Sequence, residues 1–203
     1  VMAHQPSEAS PDDAYAVVAV ASSAGGIRAL GELLGALGED LSVPVLVVQH
    51  LDPRHRTVIV DVLARRTRLP VKLAGHDERA LPGTVYVAPP DRHLLVGSDG
   101  VLSLSSSALV HFVRPSADLL FESVAGAYGP GAIACVLTGT GVDGAMGVDA
   151  VKSRGGTVIV QDPWSAEFKG MPEAAVGTGT VDFVLPLEEI AAVIRGLVET
   201  KRQ

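Results

Sequence analysis

From Tyr15 onward the chain alternates short, almost wholly apolar runs with longer stretches in which apolar residues recur every third or fourth position. The apolar runs cover residues 16–21, 43–49, 71–74, 132–137, 157–161 and 181–185. Runs of this length without polar alternation predict strands buried on both faces, as in a parallel sheet. Residues 26–37 carry Ile27, Leu30, Leu33, Leu34 and Leu37, a spacing that gives a helix one buried face. Similar patterns predict helices over 57–66, 116–128, 144–154 and 187–199. Strands alternating with helices predict an α/β fold, a doubly wound and mostly parallel sheet with helices on both faces.

The rhythm breaks between Leu81 and Leu109. There the strand-like pieces 85–88, 94–96 and 101–104 are separated by Pro89-Pro90 and by Ser98-Asp99-Gly100, which are hairpin signals. This segment is predicted to be an antiparallel hairpin insertion, too short to hold a core of its own. Residues 1–14 are rich in Pro, Ser and Asp and are expected to form a flexible tail ahead of a single domain over 15–203.

Composition narrows the function classes. Hydrophobic residues make up 47% of the 203 positions and aromatic ones only 4%, so aliphatic strands must supply the core. A net charge of -7 and a pI near 5.3 argue against a nucleic-acid partner, because phosphate backbones are bound by clustered Lys and Arg. The densest basic cluster, Arg54 and Arg56 followed by Arg65, Arg66 and Arg68, reads as a solvated helix face. Cys135 lies in an apolar run and reads as a core residue. With no run long enough to cross a membrane and no secretory leader visible, a soluble cytoplasmic protein without direct membrane insertion is expected.

In an open parallel sheet, sites form where loops leave the carboxyl ends of strands. The first strand ends in Ala21-Ser22-Ser23-Ala24-Gly25-Gly26 and runs straight into a helix, which places Ser23 on a sharp turn with the helix's first free N–H groups aimed at the same spot. The second ends in Gln49-His50, an imidazole able to take a serine proton and return it. The strand over 132–137 delivers Asp143 through a glycine-rich loop, and a carboxylate there can fix the imidazole's tautomer. Each signal also has a structural reading, but three converge on a serine hydrolase. His55, His76, His93 and His111 lack the paired spacing of a metal site, and neither metal nor cofactor is expected.

Two alternatives stand beside this one. Gly139-Thr140-Gly141-Val142-Asp143-Gly144 matches the dinucleotide fingerprint, with Asp162 closing the next strand. Against it, Asp143 would set a carboxylate beside a pyrophosphate. A non-catalytic regulatory module on the same sheet is favoured if Ser23 and His50 lie far apart.

Together with their neighbours these residues resemble the catalytic domain of the chemotaxis receptor methylesterases, the CheB family. The resemblance runs through Ala21 to Gly26, Gln49-His50, Leu81-Pro82-Gly83, Val87-Ala88-Pro89, Arg114-Pro115-Ser116-Ala117-Asp118, Leu137 to Gly144 and Gly170-Met171-Pro172-Glu173-Ala174. It implies that Ser23 attacks a glutamyl methyl ester, that His50 is the base and Asp143 its orienting acid, and that the backbone N–H groups of Ala24 and Thr140 hold the oxyanion. It also implies release of methanol, a substrate on the cytoplasmic helical region of methyl-accepting chemotaxis receptors, and in some members deamidation of receptor glutamines. Gly139 and Gly141 are expected to let backbone approach the ester. Met171, with Pro172, walls the pocket or simply packs in the core.

The sequence departs from the family pattern in places. Ala24 replaces the usual threonine, Thr140 a methionine, and Ser22 enters as a rival nucleophile, although only Ser23 has a glycine two residues on. The stretch from Asp52 to Thr57 replaces a Pro-Gly-Phe-Thr pattern and implies a changed docking surface. Many members begin with a phosphorylatable receiver domain. Here there is room only for a short tail, so regulation in cis is expected to be absent: either the chain has been trimmed, or a separate regulatory receiver protein controls it.

Overall fold

The structure is a computed structural model and describes residues 16–54 and 57–200. The predicted tail, His55 and Arg56 lie outside the described residues. In chain order the elements are β1 (Val17–Ser22), α1 (Gly26–Leu37), β2 (Val45–Gln49), α2 (Ile59–Ala64), β3 (Val71–Leu73), β4 (Glu78–Arg79), β5 (Val85–Val87), β6 (His93–Val96), β7 (Val101–Ser105), α3 (Ala117–Tyr128), β8 (Ala132–Val136), α4 (Ala145–Ser153), β9 (Thr157–Gln161), α5 (Gly170–Gly177), β10 (Phe183–Leu185) and α6 (Leu187–Thr200).

Seven strands form one sheet in the order β10-β9-β8-β1-β2-β5-β3, and every pairing in it is parallel. Every residue of β1, β2 and β8 is buried, which is why these strands read as unbroken apolar runs. Alternate side chains feed two cores. Val18 and Val20 meet Leu30, Leu33 and Leu34 of α1, Leu63 of α2 and Ile190 and Ile194 of α6 on one face. Ala19 and Ala21 meet Leu120, Phe121 and Val124 of α3, Val148 of α4 and Met171 of α5 on the other.

From β1 the sheet grows one way through β2 and the other way through β8, so the chain reverses direction beside β1. The loops leaving the carboxyl ends of β1, β2 and β8 splay apart at such a switch point and open a crevice between them. That crevice holds the candidate site.

The second sheet is antiparallel, in the order β4-β7-β6, and its Leu94, Val96 and Leu102 join the α3 side of the core. The predicted insertion is therefore real, but its membership differs from expectation. Residues 85–88 do not belong to it: β5 lies inside the parallel sheet between β2 and β3. Its three residues are all buried, so it needed parallel neighbours on both sides, whereas the short β4 supplies the third antiparallel strand. Helix α5 was not predicted, because Gly170, Pro172 and Gly177 are breakers. It is held by tertiary burial of Met171 and Ala175.

Candidate active site

β1 ends at Ser22, and Ser23, Ala24 and Gly25 turn the chain into α1. Gly25 has φ 74, a left-handed conformation that lets the turn close without a Cβ penalty. The turn is pinned on both sides. Ser23 N–H donates to the Thr138 carbonyl (3.0 Å), and the Ser23 carbonyl accepts from Gly26 N–H (2.8 Å) and Gln49 Nε2 (2.8 Å). Ser22 Oγ donates to Gln49 Oε1 at 2.5 Å and is fully buried. Ser22 is thus tied inside the sheet, while Ser23 lines the open crevice.

The register pairs Ser22 with Gln49, so the next residue on each strand, Ser23 and His50, emerges at the same edge. His50 N–H donates to the Ser22 carbonyl (3.1 Å), and Gln49 Nε2 also donates to the His50 carbonyl (3.1 Å). Gln49 is therefore the clamp that fixes both residues, a role the sequence did not signal.

Asp143 arrives from the loop after β8. Its Oδ2 lies 2.7 Å from His50 Nε2, which leaves Nδ1 as the ring nitrogen free to take a proton. The same Oδ2 accepts from Ala117 N–H (2.6 Å), and Oδ1 accepts from Ser116 Oγ (2.9 Å) and Asp118 N–H (3.1 Å). The carboxylate thus sits on the N-terminus of α3, where free N–H groups favour negative charge. Burial pushes its pKa up, but the bonds from His50, Ala117 and Asp118 outweigh burial and hold it below the ordinary carboxylate value.

A reciprocal arrangement stands next to it. Asp118 Oδ1 accepts from Gly144 N–H (3.0 Å) and Gly147 N–H (2.7 Å), so each carboxylate occupies the start of the other's helix. Burial raises the Asp118 pKa, helped by the nearby Asp143 charge and opposed by the Gly147 and Gly144 N–H groups and by His111. This answers the dinucleotide alternative: the N–H groups of α4 that would hold a pyrophosphate already hold Asp118.

Ser23, His50 and Asp143 line one cavity of about 410 Å³, together with Thr140, Gly141, Val142 and the loop of His111, Phe112 and Val113. Ser23 and His50 therefore border the same cavity, whereas a non-catalytic module is favoured only if they lie far apart. Among the described residues no hydrogen bond joins the Ser23 hydroxyl to the His50 ring, and such bonds often tighten only with substrate bound. Ser23 and Gly139 N–H groups are used, the latter by the Phe168 carbonyl at 2.9 Å, whereas those of Ala24 and Thr140 have no acceptor among the described residues.

Of the expected pocket residues only Gly141 lines this cavity. Met171 is fully buried in the core, which agrees with its core-packing reading and not with a place on the pocket wall. A Cβ on Gly139 would lie 2.4 Å from Met171 Sδ and 2.8 Å from Ser23 Cβ, so Gly139 is the close-packed link between the two. His93, also buried, bonds the Ala108 carbonyl (2.9 Å) and Ser116 N–H (3.1 Å) and is structural. His111, which lacks the spacing of a metal site, lies at the cavity. Nothing in its sequence context signalled that, since only the folded loop brings it there. Among the described residues no group of three His, Cys, Asp or Glu side chains is arranged to hold a metal ion, and no helix is long and apolar enough to cross a membrane.

A family model described as CheB methylesterase matches residues 18–194. A Leptospira interrogans protein named for protein-glutamate methylesterase and protein-glutamine glutaminase activity is 39% identical over 177 residues, 87% of this chain and 92% of the relative. A Myxococcus xanthus protein of the same two-part name is 43% identical over 176 residues, and the chain spans 50% of that relative's length. The crystal structure of the Thermotoga maritima CheB methylesterase catalytic domain, 35% identical, superposes with a TM-score of 0.85 over 91% of this chain and 98% of that one. Sequence and fold agree, and the chain belongs to the CheB methylesterase family.

Proposed function

We propose that this protein hydrolyses glutamyl methyl esters on the cytoplasmic helical region of methyl-accepting chemotaxis receptors, with Ser23 as nucleophile, His50 as base and Asp143 as orienting acid. The observation that carries the reading is the 2.7 Å bond between His50 and Asp143 at the cavity that Ser23 also lines. His50 Nδ1 takes the hydroxyl proton as Ser23 Oγ attacks the ester carbon. The Ala24 and Thr140 N–H groups, which have no acceptor among the described residues, receive the oxyanion. Collapse breaks the carbon–methoxy bond, and His50 returns its proton to the leaving oxygen as methanol. Water then attacks the acyl-Ser23 ester, with His50 again as base, and releases glutamate.

The same acyl chemistry accepts a glutamine side chain, with ammonia leaving in place of methanol. The names of the relatives carry both activities. The proposed compartment is the cytoplasm, with a separate receiver protein as the proposed regulator. Ser23→Ala is expected to abolish methanol release from methylated receptors while leaving the melting temperature within a few degrees of wild type. Unchanged turnover in that variant removes Ser23 from the mechanism.

A further inference from the structure

Between β7 and α3 the chain returns to the cavity through a tight hairpin. Val110 and Val113 exchange both backbone hydrogen bonds, at 3.0 and 2.9 Å, leaving His111 and Phe112 as a two-residue loop. Both are left-handed, with φ 48 and 65. Such loops ordinarily carry Asn-Gly, because side chains with a Cβ resist this conformation. A histidine and a phenylalanine there persist only where the surroundings hold them, and such residues cluster at functional sites.

One holding contact is visible. His111 Nε2 lies 3.2 Å from Asp118 Oδ2. That oxygen is buried and has no hydrogen-bond partner among the described residues, while its companion Oδ1 is committed to α4. The His111 ring therefore stands within ion-pair range of the carboxylate that packs beside Asp143, without a hydrogen bond to it. Phe112, in contrast, is 95% exposed and gives the fold almost no buried area. Phe112 borders the 410 Å³ cavity and also a neighbouring hollow of about 320 Å³ lined by Leu51, Pro53, Leu109 and Val113 together with the Asp91–Arg114 ion pair. His50 lines both spaces. The ring thus stands in water between two hollows that meet at His50.

We propose that Phe112 is a specificity-determining residue for the protein substrate, gripping an apolar side chain that lies one helical turn from the ester-bearing glutamate. This rests on the methylesterase reading above. Residues three or four apart on a helix project side by side from one face, so an ester entering the larger cavity brings its neighbour over the smaller one, where Leu51, Pro53, Leu109 and Val113 offer apolar surface. The Phe112 ring lies between them. Exposed aromatic anchors of this kind carry a large share of the binding energy at interfaces. His111 acts as a positioning residue, through its contact with Asp118.

The test compares kcat/KM for methanol release from a methylated receptor with that for N-acetylglutamate γ-methyl ester, in wild type, Phe112→Ala and Phe112→Leu. Phe112→Ala is expected to lower the protein-to-small-ester ratio about tenfold or more, mainly through KM for the protein, and Phe112→Leu to restore most of it. Equal losses on both substrates, or a ratio within about twofold of wild type, would overturn the proposal. Absence of methanol release from both substrates by wild type would sink the hydrolase reading and this inference with it. Normal wild-type release with an unaltered ratio in Phe112→Ala sinks this inference alone.

Discussion

Replacing Asp143 with Asn keeps the shape of the side chain and removes its charge, and the hydrogen bonds around it determine the consequence. The carboxylate accepts from His50 and Ala117 through Oδ2 and from Ser116 and Asp118 through Oδ1. An amide has one oxygen. If that oxygen faces His50 and Ala117, the NH₂ group meets the Asp118 N–H donor to donor. If it faces Ser116 and Asp118, the NH₂ group meets Ala117 N–H and forces His50 Nε2 to accept, so Nδ1 carries a hydrogen and cannot take the Ser23 proton. Either orientation leaves one buried backbone N–H without an acceptor, which costs about 1–3 kcal/mol. The lost charge and, in the second orientation, the wrong tautomer should lower kcat by about four orders of magnitude, as in other triads. Because the folded Asp143 pKa lies below its ordinary value, its contribution to stability is present above the ordinary pKa and is lost as pH falls through the folded one. The stability gap between wild type and Asp143→Asn should accordingly be full at pH 7 and shrink in strong acid. Methanol release gives the rate and urea unfolding at several pH values gives the stability. A rate loss under about tenfold would refute the assigned role and leave Asp143 as a helix cap.

Two further outcomes can be tested. Asp118→Asn should behave oppositely in stability: the folded Asp118 pKa is raised, so its contribution is present below the ordinary carboxylate pKa and lost as pH rises through the folded value. The variant's stability relative to wild type should thus improve from acid toward neutral pH, and a steady decline over that range in urea unfolding would contradict the assignment. Gly139→Ala should lose about 1–3 kcal/mol by overpacking and most of its turnover, since the new Cβ would sit 2.8 Å from Ser23 Cβ and 3.1 Å from Ser23 N. Wild-type melting and methanol release in that variant would mean the loop after β8 yields freely.

The pattern of apolar residues was enough to locate six of the seven strands described in the parallel sheet, all the described α-helices except α5, and the three strand ends at the crevice. Strands buried on both faces leave an unbroken apolar signature, and a serine or histidine directly after one, or an aspartate on the loop that leaves it, emerges at the carboxyl edge. Motif order then gave the family. Tertiary structure decided what depends on neighbours distant in the chain. Residues 85–88 looked like a hairpin arm until β2 and β3 enclosed β5, and α5 formed despite its breakers because Met171 and Ala175 had a core to enter. Gln49 as the clamp, Asp143 and Asp118 exchanging helix starts, and His111 reaching Asp118 left no local signal. Periodicity records only which face of an element is buried, whereas a hydrogen bond across the fold depends on where two separately formed elements come to rest.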